Sequence, residues 1–181
     1  MRHLKMLVLI MAFAGCATGK MGHIEQPLTE GAISKTTPIY VETISAKDMT
    51  VTGDKANDIK RTTEEKKAIE TEYAQKIVEH LRAKGFNAQL ATTPAKSGVT
   101  ISGSVTKVEH GSAAARFFVG MGAGSANMFA DFMITDRAKN TTMSKFQVIA
   151  TSGGTSGLGS YLNRFLNDGG KKVAEYVEKG K

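Results

Sequence analysis

Ile69, Tyr73, Ile77 and Leu81 recur every fourth residue, with Ala74 and Val78 beside them, and stretches that alternate with a period of two flank them on both sides. A step of four gathers side chains on one face of a helix, whereas alternation gathers them on one face of a strand. Such a chain has to lay an amphipathic helix on a sheet. The helix is predicted over 62–84, because Thr62 and Glu65 have the Thr-x-x-Glu spacing of a capping box and Gly85 supplies a left-handed stop. Ahead of it, Ile39, Val41 and Thr43 alternate with Tyr40, Glu42 and Ile44 in a first strand, followed by a polar stretch over 45–61. Behind it, Phe86, Ala88 and Leu90 read as a second strand, and Val99, Ile101, Gly103 and Val105 as a third.

Further on, Met128, Ala130 and Phe132 alternate within 126–134, a polar turn occupies 136–140, and Phe146, Val148 and Ala150 return, the pattern of a β-hairpin. After a Gly/Ser cluster over 152–160, a second amphipathic helix carries Leu162, Leu166, Val173 and Val177, with Phe165 and Tyr176 beside them. Asp168-Gly169-Gly170 are poor helix formers, so a kink or break is expected there. The order of elements predicts a single α/β domain of the α+β type. It has a mostly antiparallel sheet of about five strands and two helices packed on one face. The first two strands, joined through the 62–84 helix, are candidates for a parallel βαβ unit.

Cys16 is the chain's single cysteine. It follows a basic start (Arg2, Lys5), an apolar stretch and the small residues Ala14 and Gly15, as at the end of an export signal. The arrangement resembles a bacterial lipobox, with Phe13 where an aliphatic residue is usual. That resemblance implies cleavage before Cys16, acylation of its thiol and amino group, and membrane lipid as the partner of the acylated cysteine. Ala17 stands where Asp marks inner-membrane retention, so the outer membrane, facing the periplasm, is the implied address. The domains read as a signal peptide over 1–15, a lipidated N-terminus and flexible tether over 16–37, and the folded unit over 38–181. As a coil of 21 residues, the tether would reach about 25 Å. Cleavage takes Arg2 and Lys5 from 24 basic residues, leaving 22 against 17 acidic ones, a net +5 spread along the chain. Without an aromatic-and-glycine RNA-binding signature, nucleic acid is not an expected partner. With no second cysteine there is no disulfide, and the core must hold by packing.

The stretch Arg116-Phe117-Phe118-Val119-Gly120-Met121-Gly122-Ala123-Gly124 is the chain's other unusual segment. Its glycine spacing fits neither a dinucleotide fingerprint nor a Walker A loop, although Arg116 and backbone N–H groups can cradle an anion. If extended, Gly120, Gly122 and Gly124 leave a groove on one side; if helical, Gly120 and Gly124 make a small-xxx-small face. Either arrangement suits a protein or lipid contact. Together with Gly103-Ser104-Val105, the Gly111 turn, the Asp136 turn and Ser152-Gly153-Gly154, the segment resembles the bacterial lipoprotein family known as domain of unknown function 4410, over 38–177. The resemblance implies an envelope location and no reaction. The element order is also similar, at the level of fold, to periplasmic lipoproteins that activate cell-wall synthases or build secretion assemblies.

No nucleophile elbow, catalytic cysteine or metal-ligand spacing is present. His23 falls in the expected tether, His80 on the rim of the helix, and His110 near the glycine segment, where it joins Arg116, Phe117, Phe118, Gly120, Gly122 and Gly124 as a candidate binding residue. The expectation is therefore a non-enzymatic, lipid-anchored envelope module without a cofactor or metal, binding an envelope protein partner or itself. The alternatives are a periplasmic module for an anionic ligand or cell-wall fragment, and a subunit of a membrane-inserted oligomer.

Overall fold

A computed structural model describes residues 18–93, 96–111, 125–152 and 158–180. The elements are β1 (Thr18–Gln26), β2 (Ile39–Val41), β3 (Thr50–Gly53), α1 (Ile59–Ala83), β4 (Ala88–Leu90), β5 (Val99–His110), β6 (Ala126–Asp136), β7 (Thr141–Ser152) and α2 (Leu158–Lys179). The expected α+β domain, with both helices on one face of one sheet, is what forms. Among the described residues the sheet has seven strands rather than five, ordered β1-β7-β6-β5-β2-β4, with β3 also beside β5. It is mixed: β1, β7, β6 and β5 are antiparallel neighbours, whereas β2 and β3 run parallel to β5. The βαβ unit is present, since β2 and β4 pair in parallel and the chain between them passes through α1.

Alternation decides which face is covered. Met128, Ala130, Phe132 and Ile134 of β6, with Phe146, Val148 and Ala150 of β7, are buried beneath the helices. Their neighbours Asp131 and Met133 are exposed, and Lys145 and Gln147 half-buried, on the uncovered side. From α1, Ile69, Tyr73, Ala74, Ile77, Val78 and Leu81 complete the core. Phe132 stacks on Phe146 at 5.5 Å and meets the edge of Tyr73 at 5.8 Å, an aromatic seam between helix and sheet.

Helix α1 starts three residues before the expected boundary. Asp58 is its N-cap, accepting from the Arg61 N–H at 3.0 Å, so Thr62 and Glu65 lie inside the helix and form no capping box. Gly85 takes the expected left-handed conformation (φ 82°). Helix α2 runs unbroken through Gly169 and Gly170, where a break was expected. Both glycines are buried at the crossing with α1. A Cβ on Gly169 would stand 2.2 Å from the Tyr73 hydroxyl, and one on Gly170 3.0 Å from the Lys76 backbone carbon. Close approach of the helices requires glycine here, and it compensates for low helix propensity.

The flexible tether expected over 16–37 is not what the described part of that segment forms. Thr18–Gln26 is an edge strand paired antiparallel with β7, and Leu28 and Ile33 are buried in the core. The chain after β1 is held by a relay of hydrogen bonds. The Leu28 N–H donates to the Tyr176 hydroxyl (2.9 Å), which lies 2.9 Å from the Ser144 hydroxyl, and Ser144 donates to the Gln26 carbonyl (2.8 Å). The domain therefore reaches back to Thr18. The polar stretch 45–61 also contains a strand, β3, which continues the line of β2 along β5 with Ser45 bridging to Ser104 between them.

Candidate functional site

The step-of-four stripe of α1 extends back beyond Ile69 to Glu65, and Glu65 is fully buried. Its carboxylate lies where the C-terminal end of β5 meets the first turns of α1 and α2. Arg61, one turn earlier, donates from Nε to Glu65 Oε1 at 3.0 Å, and the Tyr161 hydroxyl donates to the same oxygen. His110, the last residue of β5, has Nε2 3.2 Å from Oε1, close enough for an ion pair though not aligned as a hydrogen bond. The His110 and Tyr161 rings meet edge to face at 5.8 Å, and the Arg61 guanidinium lies over Tyr161 at 4.8 Å.

Burial opposes ionisation of Glu65, but the contacts with His110, Tyr161 and Arg61 outweigh it and hold its pKa below the usual carboxylate value. Burial, reinforced by the adjacent carboxylate, pushes the Tyr161 hydroxyl above its usual range. Glu65 Oε2 has no hydrogen-bond partner. The His110 side chain is 4 % exposed and that of Glu65 0 %, with Arg61 at the rim 20 % exposed. What the set does is join three elements at one point through a single carboxylate.

On the uncovered face lies a groove of about 590 Å³, lined by polar side chains including Glu25, Ser102, Asp131, Lys145 and Gln147 and by apolar ones including Met133. Lys145 pairs with Glu25 at 3.0 Å, and Asp131 accepts a hydrogen bond from the neutral Gln147 amide at 2.8 Å. Among the described residues no cluster of three metal-ligating side chains forms, and no helix is long and apolar enough to cross a membrane.

Residues 39–180 match the family model described as a domain of unknown function, DUF4410. The chain belongs to the DUF4410 family. No curated protein matches it. Among solved structures, this DUF4410 chain is similar to a PelC dodecamer from Paraburkholderia phytofirmans, at 13% identity and TM-score 0.50 over 87% of this chain and 97% of that one. A protein of Xanthomonas campestris assigned to DUF330 is similar at 9% identity and TM-score 0.51, over 84% and 92% of the two chains. At these identities the likeness is one of fold.

Of the residues singled out from the DUF4410 sequence, Cys16, Arg116, Phe117, Phe118, Gly120, Gly122 and Gly124 lie outside the described residues. His110 is described, and it is a buried partner of Glu65 rather than an open binding residue. His23 is exposed on β1, and His80 is a rim residue with Nε2 3.1 Å from Asn167 Oδ1. Glu65, Arg61 and Tyr161 were not anticipated as a cluster. The signal was available for two of them, since Arg61 and Glu65 continue the 69-73-77-81 series backward.

Proposed function

We propose that this chain is a lipid-anchored, non-enzymatic module of the bacterial envelope that works by assembling with copies of itself or with an envelope protein. The observation that carries the proposal is the position of β1. Only Ala17 separates the lipobox cysteine from a strand hydrogen-bonded into the sheet, so an acyl anchor on Cys16 attaches directly to the wall of the folded domain. Such an attachment holds the domain in a fixed relation to the surface, as an assembly requires. Self-association is supported by the dodecameric state named for the PelC structure that shares this fold.

Full-length protein produced in a Gram-negative host tests both parts. Intact-mass analysis is expected to show an acylated chain beginning at Cys16, with Cys16→Ser unmodified and released from membranes. Membrane retention of the Cys16→Ser variant would overturn the anchor. Sedimentation of the detergent-purified protein is expected to show an oligomer. A monomer at every concentration, with no envelope protein crosslinked to it, would overturn the assembly role.

A further inference from the structure

The strand directions place several features at one end of the domain. Thr18 pairs with Thr151, Thr151 with Asn127, Asn127 with Glu109, and Gly53 with His110, so these residues form a row across β1, β7, β6, β5 and β3. At about 4.8 Å per strand the row spans about 19 Å. Helix α1 begins just beyond the β3 side of this row with Ile59, which is 81% exposed, the most exposed large hydrophobic side chain among the described residues. Cys16 lies two residues before the β1 side, within about 7 Å of Thr18 along the chain.

We infer that this end of the domain lies against the lipid surface, with Ile59 as a second contact opposite the acylated cysteine. The inference rests on the lipid anchor of the proposed function. The occupant is lipid rather than protein because an anchor two residues from Thr18 leaves no distance between this end and the headgroups. Lys20, Lys55 and Lys60 are exposed at this end alongside Asp54, Asp58 and Glu64. The contact therefore depends on Ile59 and the anchor rather than on net charge. Two contacts about 19 Å apart, from the strand spacing above, would hold the sheet upright on the membrane, with the turn between β6 and β7 pointing away.

Acylation of Cys16 leaves any introduced cysteine as the only free thiol. Ile59→Cys and Lys139→Cys, the latter at a side chain 77% exposed in the distal turn, are each labelled with a polarity-sensitive fluorophore in the full-length acylated protein. Both are reconstituted in phosphatidylethanolamine and phosphatidylglycerol vesicles containing brominated lipid. The expected result is loss of most of the fluorescence at position 59, with position 139 unaffected. Equal quenching at both positions, or at neither, would overturn the inference. If the same preparations still float with the vesicles, the anchor stands even though the orientation fails.

Discussion

Glu65 is the residue on which the end of the domain turns. Removing one partner of a buried ion pair leaves the others uncompensated, at a cost of about 3–5 kcal/mol. Glu65→Gln keeps the shape and part of the hydrogen bonding, so we expect a smaller loss of about 1–3 kcal/mol in urea denaturation of the unacylated Cys16→Ser chain. The pH dependence has a definite sign. Because the native pKa of Glu65 is depressed below 4.5, its stabilisation is complete above that value and is lost as pH falls through the lower native pKa. The stability gap between wild type and Glu65→Gln should thus narrow as the solution is made more acid than about pH 4.5. A gap that fails to narrow as the carboxyl titrates would refute the assignment. The misreading of Glu65 as a capping residue shows what the sequence leaves ambiguous. Thr-x-x-Glu is a local pattern, and an acid two turns before Tyr73 fits a helix start equally well as a buried face. Only β5 and α2, contributed from far along the chain, supply the His110 and Tyr161 that make burial of a carboxylate tolerable.

Two elements meet where Gly169 touches Tyr73. The Tyr73 hydroxyl is buried without a hydrogen-bond partner, and burial pushes its pKa upward. Tyr73→Phe is expected to be neutral or to stabilise by about 1 kcal/mol, since it removes an unsatisfied polar group. Gly169→Ala should destabilise by about 1–3 kcal/mol through overpacking, and the double variant should recover part of that loss. A strictly additive pair would mean that the two side chains do not meet. The helices and the 126–152 hairpin were legible in sequence because each buries one clean face, so their periods of 3.6 and 2 survive. β1 was not legible. It is an edge strand whose register shifts between Met21 and Ile24 and again before Gln26, and such irregularities break the alternation on which recognition depends. β3 escaped for a related reason, as its four residues are mostly exposed and carry no apolar face. The glycine pair in α2 looked like a break because propensity is local, whereas the contact that favours glycine is with another helix.

For the whole molecule, the placement of residues 18–37 inside the domain has a direct test. Deleting 18–37 removes the edge strand, uncovers Phe146 and Val148, and takes Leu28 and Ile33 from the core. The resulting 38–181 fragment is expected to lose cooperative unfolding, followed by far-UV circular dichroism on heating. A fragment that melts as sharply as the chain from Thr18 would restore the tether. Tyr176→Phe probes the same closure more gently: it leaves the Leu28 N–H without its acceptor, at an expected cost of about 1–3 kcal/mol.

The hydroxyl relay from Leu28 through Tyr176 and Ser144 to Gln26 also sets an order in time. Leu28 and Tyr176 are 148 residues apart, and among the described residues β1 pairs with β7, late in the chain. A polypeptide made from its N-terminus must hold its first strand unpaired until almost all of the rest has been synthesised. The first strand is consequently locked in late. For a chain exported as proposed above, closure that waits for residue 176 leaves the first strand unlocked until the last helix arrives.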